Sequence, residues 1–243
     1  MSVDPIGEVI AAMADLRSGG SRHNGIGIFG DVCLRATEKV KLRVVDGGFA
    51  DAGFVEHLDV VLARIFLQVP TDADAGRPVD HAWRPLVERR GRHDLLPIQF
   101  TLAGANAHLA RDLPIALVRT CRERGVSPHA AGVRDDFEQV GGALTGVVRP
   151  IRKSYLDGHT VASGRPLSPL ADLVSNFSLD KARDAAWVTA LTLWEIRDVA
   201  FLERSFERTL GRNVGLVSRQ LLVSFTDPLA TTQPLSEDAL FGR

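Results

Sequence analysis

"LPIQFTLAGANAHLARDLPIAL", residues 96–117, decides how this chain folds. Pro97 suits a first helical position, because its missing N–H is one the helix leaves unpaired anyway. On a wheel of about 100° per residue, Ile98, Leu102, Ala105 and Leu109 fall on one ridge. Small and apolar residues flank that ridge, as in a helix built for a core. The spacing predicts a helix from Pro97 that Leu113-Pro114 ends or kinks. Proline removes a donor and disfavours helix at the residue before it. A second helical segment follows over 114–124 and stops at Gly125.

The same signals recur on both sides. Asp4-Pro5 starts a helix over 5–17, which Gly19-Gly20 ends. Ile26, Phe29, Cys33, Ala36, Val40 and Val44 recur at steps of three and four and stop at Gly47-Gly48. Asp51 caps a third helix with the stripe Phe54, Leu58, Val61 and Ile65, which ends before Pro70. Residues 70–80 read as a polar loop, and Asp80 as the cap of a short helix containing Trp83. Asp135 with Glu138 resembles a capping box ahead of Phe137, Val140, Leu144 and Val147. Residues 157–169 read as a loop, with helix starts at Ser168-Pro169 and Ser178. Trp187, Leu191 and Trp194 mark a helix running past Phe201 to Leu210. Gly211 stops it, and a last helix spans about 215–225. No run alternates with period two; "VSRQLLVSF", residues 217–225, comes nearest. The expectation is one all-α domain over 1–243 with eight to ten helices. Its core spans 5–225, and 226–243 form a loose polar tail.

Composition narrows the function classes. The 243 residues are 45% apolar and 24% charged, with a formal net charge of -1. That balance demands neither nucleic acid nor an acidic membrane as partner. No stretch reaches the ~18 consecutive apolar residues of a membrane span. The two cysteines, Cys33 and Cys121, lie far apart in apolar periodic segments and read as buried free thiols. A basic n-region ahead of an apolar run is lacking, so the expected location is cytoplasmic. Oligomeric state stays open, a homodimer included.

Polar residues bordering the apolar stripes are the candidates for chemistry. His108 and Asp112 are four apart on one side of the helix, in line with Thr101, and Asn106 flanks the other side. A carboxylate one turn from an imidazole can fix its tautomer and support it as a general acid or base. The same spacing suits two ligands on one metal. The plain alternative makes Asp112 a cap for the segment at Pro114 and His108 a core histidine. Asp31, Arg35 and Glu38 share the far side of the second helix and form an internal charge cluster if that helix is enclosed. Asp59 sits beside Val55, Leu62 and Phe66 and needs a partner, for which Arg35 or Arg64 would serve. Trp83 is a further binding candidate, although a tryptophan is more often core.

At "HLDVVLARIFL", "AWRPLVERR" and "LPIQFTLAGANAHLARDLPIAL" the chain resembles a family of uncharacterised bacterial proteins, catalogued only as a domain of unknown function. The resemblance covers residues 25–125 well and the rest loosely. It rests on Asp59, Arg64, Ala82-Trp83-Arg84, Asn106, His108, Asp112, Leu113 and Pro114. It implies that the opening stretch is a family signature and says nothing of a reaction. His108-x-x-x-Asp112 is also similar to a ligand pair of the helical zinc-dependent phospholipase C and P1 nuclease group. The further histidine of that group is missing here, and the seven histidines are scattered. The His-His-x-x-x-Asp-Gly pattern of some acyltransferases fails at both ends. Signatures for phosphate loops, dinucleotides, a serine elbow and HExxH are absent.

Three functional expectations follow. The leading one is a cofactor-independent enzyme, of cyclase, isomerase, lyase or hydrolase type, acting on a small hydrophobic molecule in an apolar helical pocket. His108 is then the acid or base and Asp112 its support. Asn106, Asp59, Arg35, Asp31, Glu38, Trp83 and Arg64 are the substrate-binding candidates. The second is a metal-dependent hydrolase on the His108/Asp112 pair, and the third a non-catalytic binding or scaffold protein. No cofactor and no tightly held metal are expected.

Overall fold

The computed structural model describes residues 4–18, 24–163 and 169–224. In chain order these form α1 (Pro5–Ser18), α2 (Gly25–Val45), α3 (Ala52–Asp74), α4 (Arg84–Arg89), α5 (Pro97–Ala107), a π turn (His108–Asp112), α6 (Leu113–Arg124), α7 (Val133–Ser163), α8 (Pro169–Asn176), α9 (Leu179–Ile196) and α10 (Ala200–Leu221). There is no strand among the described residues, so the all-α expectation holds. The expected tail after Asp227-Pro228, the stop at Gly19-Gly20 and the cap at Ser168 lie outside these residues.

The opening stretch is the axis of the molecule. Every residue from Ile98 to Ala107 is buried. Helices α2 and α10 pack on α5, while α3 and α9 pack on α6. A helix apolar on all sides has no solvent face to offer, so neighbours must enclose it. Gly104 permits one of the closest approaches, because a Cβ there would overlap the Phe29 ring of α2. At the start of α5, Leu96 N donates to Gln99 Oε1 at 3.0 Å. The Gln99 amide in turn donates to the carbonyls of Leu221 and Val223, tying the end of α10 to the axis.

Several local signals act as the sequence suggests. Asp51 and Ser178 accept from Phe54 N and Lys181 N, and Asp4 from Gly7 N. Gly125 closes α6 with φ +65. Cys33 and Cys121 are buried and free.

Other boundaries moved for tertiary reasons. Helix α3 runs through Pro70 to Asp74, where a polar loop was expected. Val69 and Pro70 are both buried there, and the Thr71 hydroxyl caps the Leu67 carbonyl at 2.9 Å. Burial of that last turn outweighs the loss of one N–H. Residues 157–163, expected as loop, belong to α7. Asp135 and Glu138 do not form the box. The inward residue is Asp136, which accepts from Ala50 N and Asp51 N at 2.9 Å each and pins α7 to the α2–α3 turn. The expected helix across Phe201 is broken at 197–199 instead. Arg197 turns back, donates to the Trp194 carbonyl and stacks 3.9 Å over the Trp194 ring. Gly211 stops nothing. It and Gly215 lie inside α10, where a Cβ would meet Asp80 and the His81 carbonyl respectively. The strand-like stretch from Val217 is helical as far as Leu221.

Among the described residues no helix is long and apolar enough to cross a membrane.

Candidate functional site

Pro114 is passed without ending the rod. The turn before it widens, so that Leu113 N bonds back to His108 O across five residues. The extra residue in the turn relieves the clash of a proline ring with the carbonyl four residues earlier. The widened turn puts both His108 and Asp112 into the core, with relative exposures of 5% and 0%. His108 Nδ1 stands 3.4 Å from Asp112 Oδ2, within ion-pair reach but outside good hydrogen-bond geometry.

Asp112 is the hub of a wider network. Trp83 Nε1 donates to Oδ2 at 2.9 Å, and Arg111 Nη1 donates to Oδ1 at 2.8 Å. Arg111 also reaches Asp80 Oδ2 at 3.0 Å, and Asp80 Oδ1 accepts from Ala82 N. Burial alone would push the Asp112 carboxyl up. The His108 contact and the Arg111 charge more than offset it and hold Asp112 below the usual carboxylate range. Asp112 makes no cap hydrogen bond to α6, so its expected capping role is replaced by this network. The imidazole itself sits among aromatic rings, 5.7 Å from Phe29, 6.2 Å from Phe66 and 6.4 Å from Trp83.

On the other side His108 borders a cavity of about 20 Å³ between α2, α3 and α7, with Asp59, Thr37 and Cys33 in its wall. Such a space holds about one water molecule. Burial pushes the Asp59 carboxyl up to about 7, against a hydrogen bond from Thr37 that pulls it down. Asp59 Oδ2 is buried without a protein hydrogen-bond partner. Burial, with the nearby Asp112 and Asp59 charges, also raises the Cys33 thiol well above its ordinary value, so it stays protonated near neutral pH. The remaining wall is apolar, including Val40, Leu62 and Leu144.

The structure sorts the sequence candidates. It brings together His108, Asp112 and Trp83 directly, and Asp59 across the cavity. Asn106 points elsewhere: its amide donates to Val214 O and Ser218 Oγ at 3.0 Å each and fastens α10. Arg64 is exposed and lines a separate surface cleft, so Asp59 finds Thr37 as its partner rather than Arg64 or Arg35. Asp31, Arg35 and Glu38 line neither the cavity nor that cleft. Asp31 and Arg35 are half-buried and engaged, while Glu38 is exposed, so the cluster is not enclosed. Thr37, Arg111 and Asp80 were missed. Thr37 has Cys33 and Lys41 four residues away, and neither spacing points to the Asp59 carboxyl on the next helix. Arg111 beside Asp112 was visible as an adjacent charge pair.

Metal chemistry finds little purchase on this donor set. Both Asp112 oxygens already accept from Trp83 and Arg111. Among the described residues no group of three or more His, Cys, Asp or Glu is placed to hold a metal ion.

Comparison with known proteins bears on family, not on reaction. Neither the curated proteins nor the solved structures include a significant match. A family model matches residues 6–224, far beyond the stretch that carried the resemblance, so the chain belongs to the Family of unknown function DUF5995.

Proposed function

We propose that the protein is a cofactor-independent enzyme that moves protons on a small, largely apolar substrate at the His108–Asp59 cavity. One observation carries this reading. Asp59, with a carboxyl near 7, and His108 border the same buried space. A buried carboxyl with a value near 7 beside an imidazole in one low-dielectric cavity makes a proton-relay pair. Asp112 faces His108 Nδ1 and leaves Nε2 as the nitrogen for exchange with substrate. A proton taken from substrate carbon by Nε2 is balanced by one given from the Asp59 carboxyl to another substrate atom. The sum is an isomerisation or a double-bond shift, with no redox partner needed. Asp112 and Trp83 are positioning residues, and the apolar wall supports a hydrophobic substrate.

At about 20 Å³ the cavity is closed to anything larger than water. Substrate entry therefore requires α7 to lift from α2 and α3. Val140, Gly141 and Leu144 of α7 form that side of the wall.

The test is untargeted mass spectrometry of small-molecule extracts incubated with wild type, His108→Ala and Asp59→Asn. The expected result is a compound converted to an isomer by wild type, with loss of roughly 10²- to 10⁴-fold in rate for His108→Ala. Normal turnover by stably folded His108→Ala protein, or no conversion of any extract, refutes the reading.

A further inference from the structure

A second space in the molecule is much larger than the His108 cavity. A cleft of about 740 Å³ runs along the seam of α3 and α6, open to solvent. That volume falls in the range of small-molecule sites, roughly 300–1,000 Å³. Its α3 wall extends from Gly53 to Asp72, which at about 1.5 Å per residue is roughly 28 Å of helix. An elongated ligand matches that shape.

The chemistry of the walls is two-sided. Val61, Ile65 and Val79 give an apolar strip, half-buried and facing the cleft. Four arginines and four carboxylates also line it, but most are already engaged. Arg111 is held by Asp112 and Asp80, Asp72 by Arg77, Glu123 by His57, and Arg124 lies 3.9 Å from Asp51. Arg64 and Arg119 remain, both exposed, and neither has a hydrogen bond or ion pair among the described residues. Arg119 is near enough to Glu207 to moderate the upward push that burial gives that carboxyl. Glu56 is the acid left over on the same walls, so the unengaged groups carry an excess of positive charge.

We propose that this cleft binds a small amphipathic anion, with an oxyanion headgroup on Arg64 and Arg119 and an apolar body along Val61, Ile65 and Val79. Guanidinium groups suit carboxylate and phosphate alike, through paired N–H donors. The site stands apart from the His108 cavity, which none of these residues lines, so it does not depend on the proton-transfer reading.

Isothermal titration calorimetry on the full chain tests it, with decyl phosphate, decanoate, inorganic phosphate and decyltrimethylammonium below their micelle concentrations. At least one decyl anion is expected to bind, and the preferred one identifies the headgroup. Inorganic phosphate should bind far more weakly and the cation not at all. The double variant Arg64→Ala/Arg119→Ala should lose at least about tenfold in affinity. Both side chains are exposed, so its circular dichroism should match wild type. Failure of both decyl anions to bind overturns the proposal. So does equal binding of the cation, equal binding of inorganic phosphate, or unchanged affinity in the folded double variant.

Discussion

Replacing Asp59 by asparagine should stabilise the protein at alkaline pH and lose that advantage, then destabilise it, as pH falls. The substitution keeps the shape of the side chain and removes its charge. Asp59 is buried, and burial carries its carboxyl from 3.8 to about 7. Below the ordinary value the carboxyl is protonated in folded and unfolded chains alike, and its ionisation costs nothing. Between that value and about 7 the unfolded chain releases a proton that the folded chain retains. The unfolded state then binds fewer protons, so wild-type stability falls as pH rises through this window. At about 1.36 kcal/mol per unit, the full shift costs about 4 kcal/mol above pH 7. Asparagine escapes the penalty but adds an amide N–H₂ that needs a partner, at roughly 1–3 kcal/mol. That second cost does not vary with pH. The difference between the two proteins should therefore grow by about 3 kcal/mol from about pH 5 to about pH 8, whatever the amide costs. Urea denaturation of both proteins at the two pH values measures it. Parallel stability curves for wild type and Asp59→Asn would refute the argument and remove Asp59 from the proton-transfer pair.

Trp83→Phe removes the indole donor to a wholly buried carboxylate, and urea denaturation should show a loss of at least about 2–3 kcal/mol; a loss below about 0.5 kcal/mol would mean that Asp112 does not depend on this bond. Gly215→Ala forces a Cβ against the His81 carbonyl and should destabilise by roughly 1–3 kcal/mol. Gly158→Ala, at an exposed position of α7 with nothing nearby, should stabilise by about 0.5–1 kcal/mol. Thermal melts that rank the two glycine variants in the opposite order would contradict this account of α10 packing. Asp136→Ala removes the acceptor for two backbone N–H groups at the α2–α3 turn and should cost about 2–3 kcal/mol. Hydrogen exchange should then speed up at Ala50 and Asp51, and unchanged exchange there would count against the α7 anchor.

The sequence by itself determined what depends on near neighbours. Helical period, the caps at Asp4, Asp51 and Ser178, and the stop at Gly125 each rest on residues within a turn of one another. The adjacency of His108 and Asp112 is legible for the same reason, since a spacing of four brings two side chains together on one helix. Tertiary structure decided what depends on residues far apart. Trp83 reaches Asp112 across 29 positions and Asn106 reaches Val214 across 108, and no periodicity encodes either bond. Pro70 stays in a helix because its last turn is buried, and Gly211 stays in α10 because Asp80 occupies the space its side chain would take. Asp59 looked like an acid in search of an arginine. Packing of α2, α3 and α7 instead gave it a threonine and a small enclosed cavity, and that burial raises its carboxyl. A pKa shift of this kind is a property of the medium around a group. The medium exists only once distant segments have closed around it.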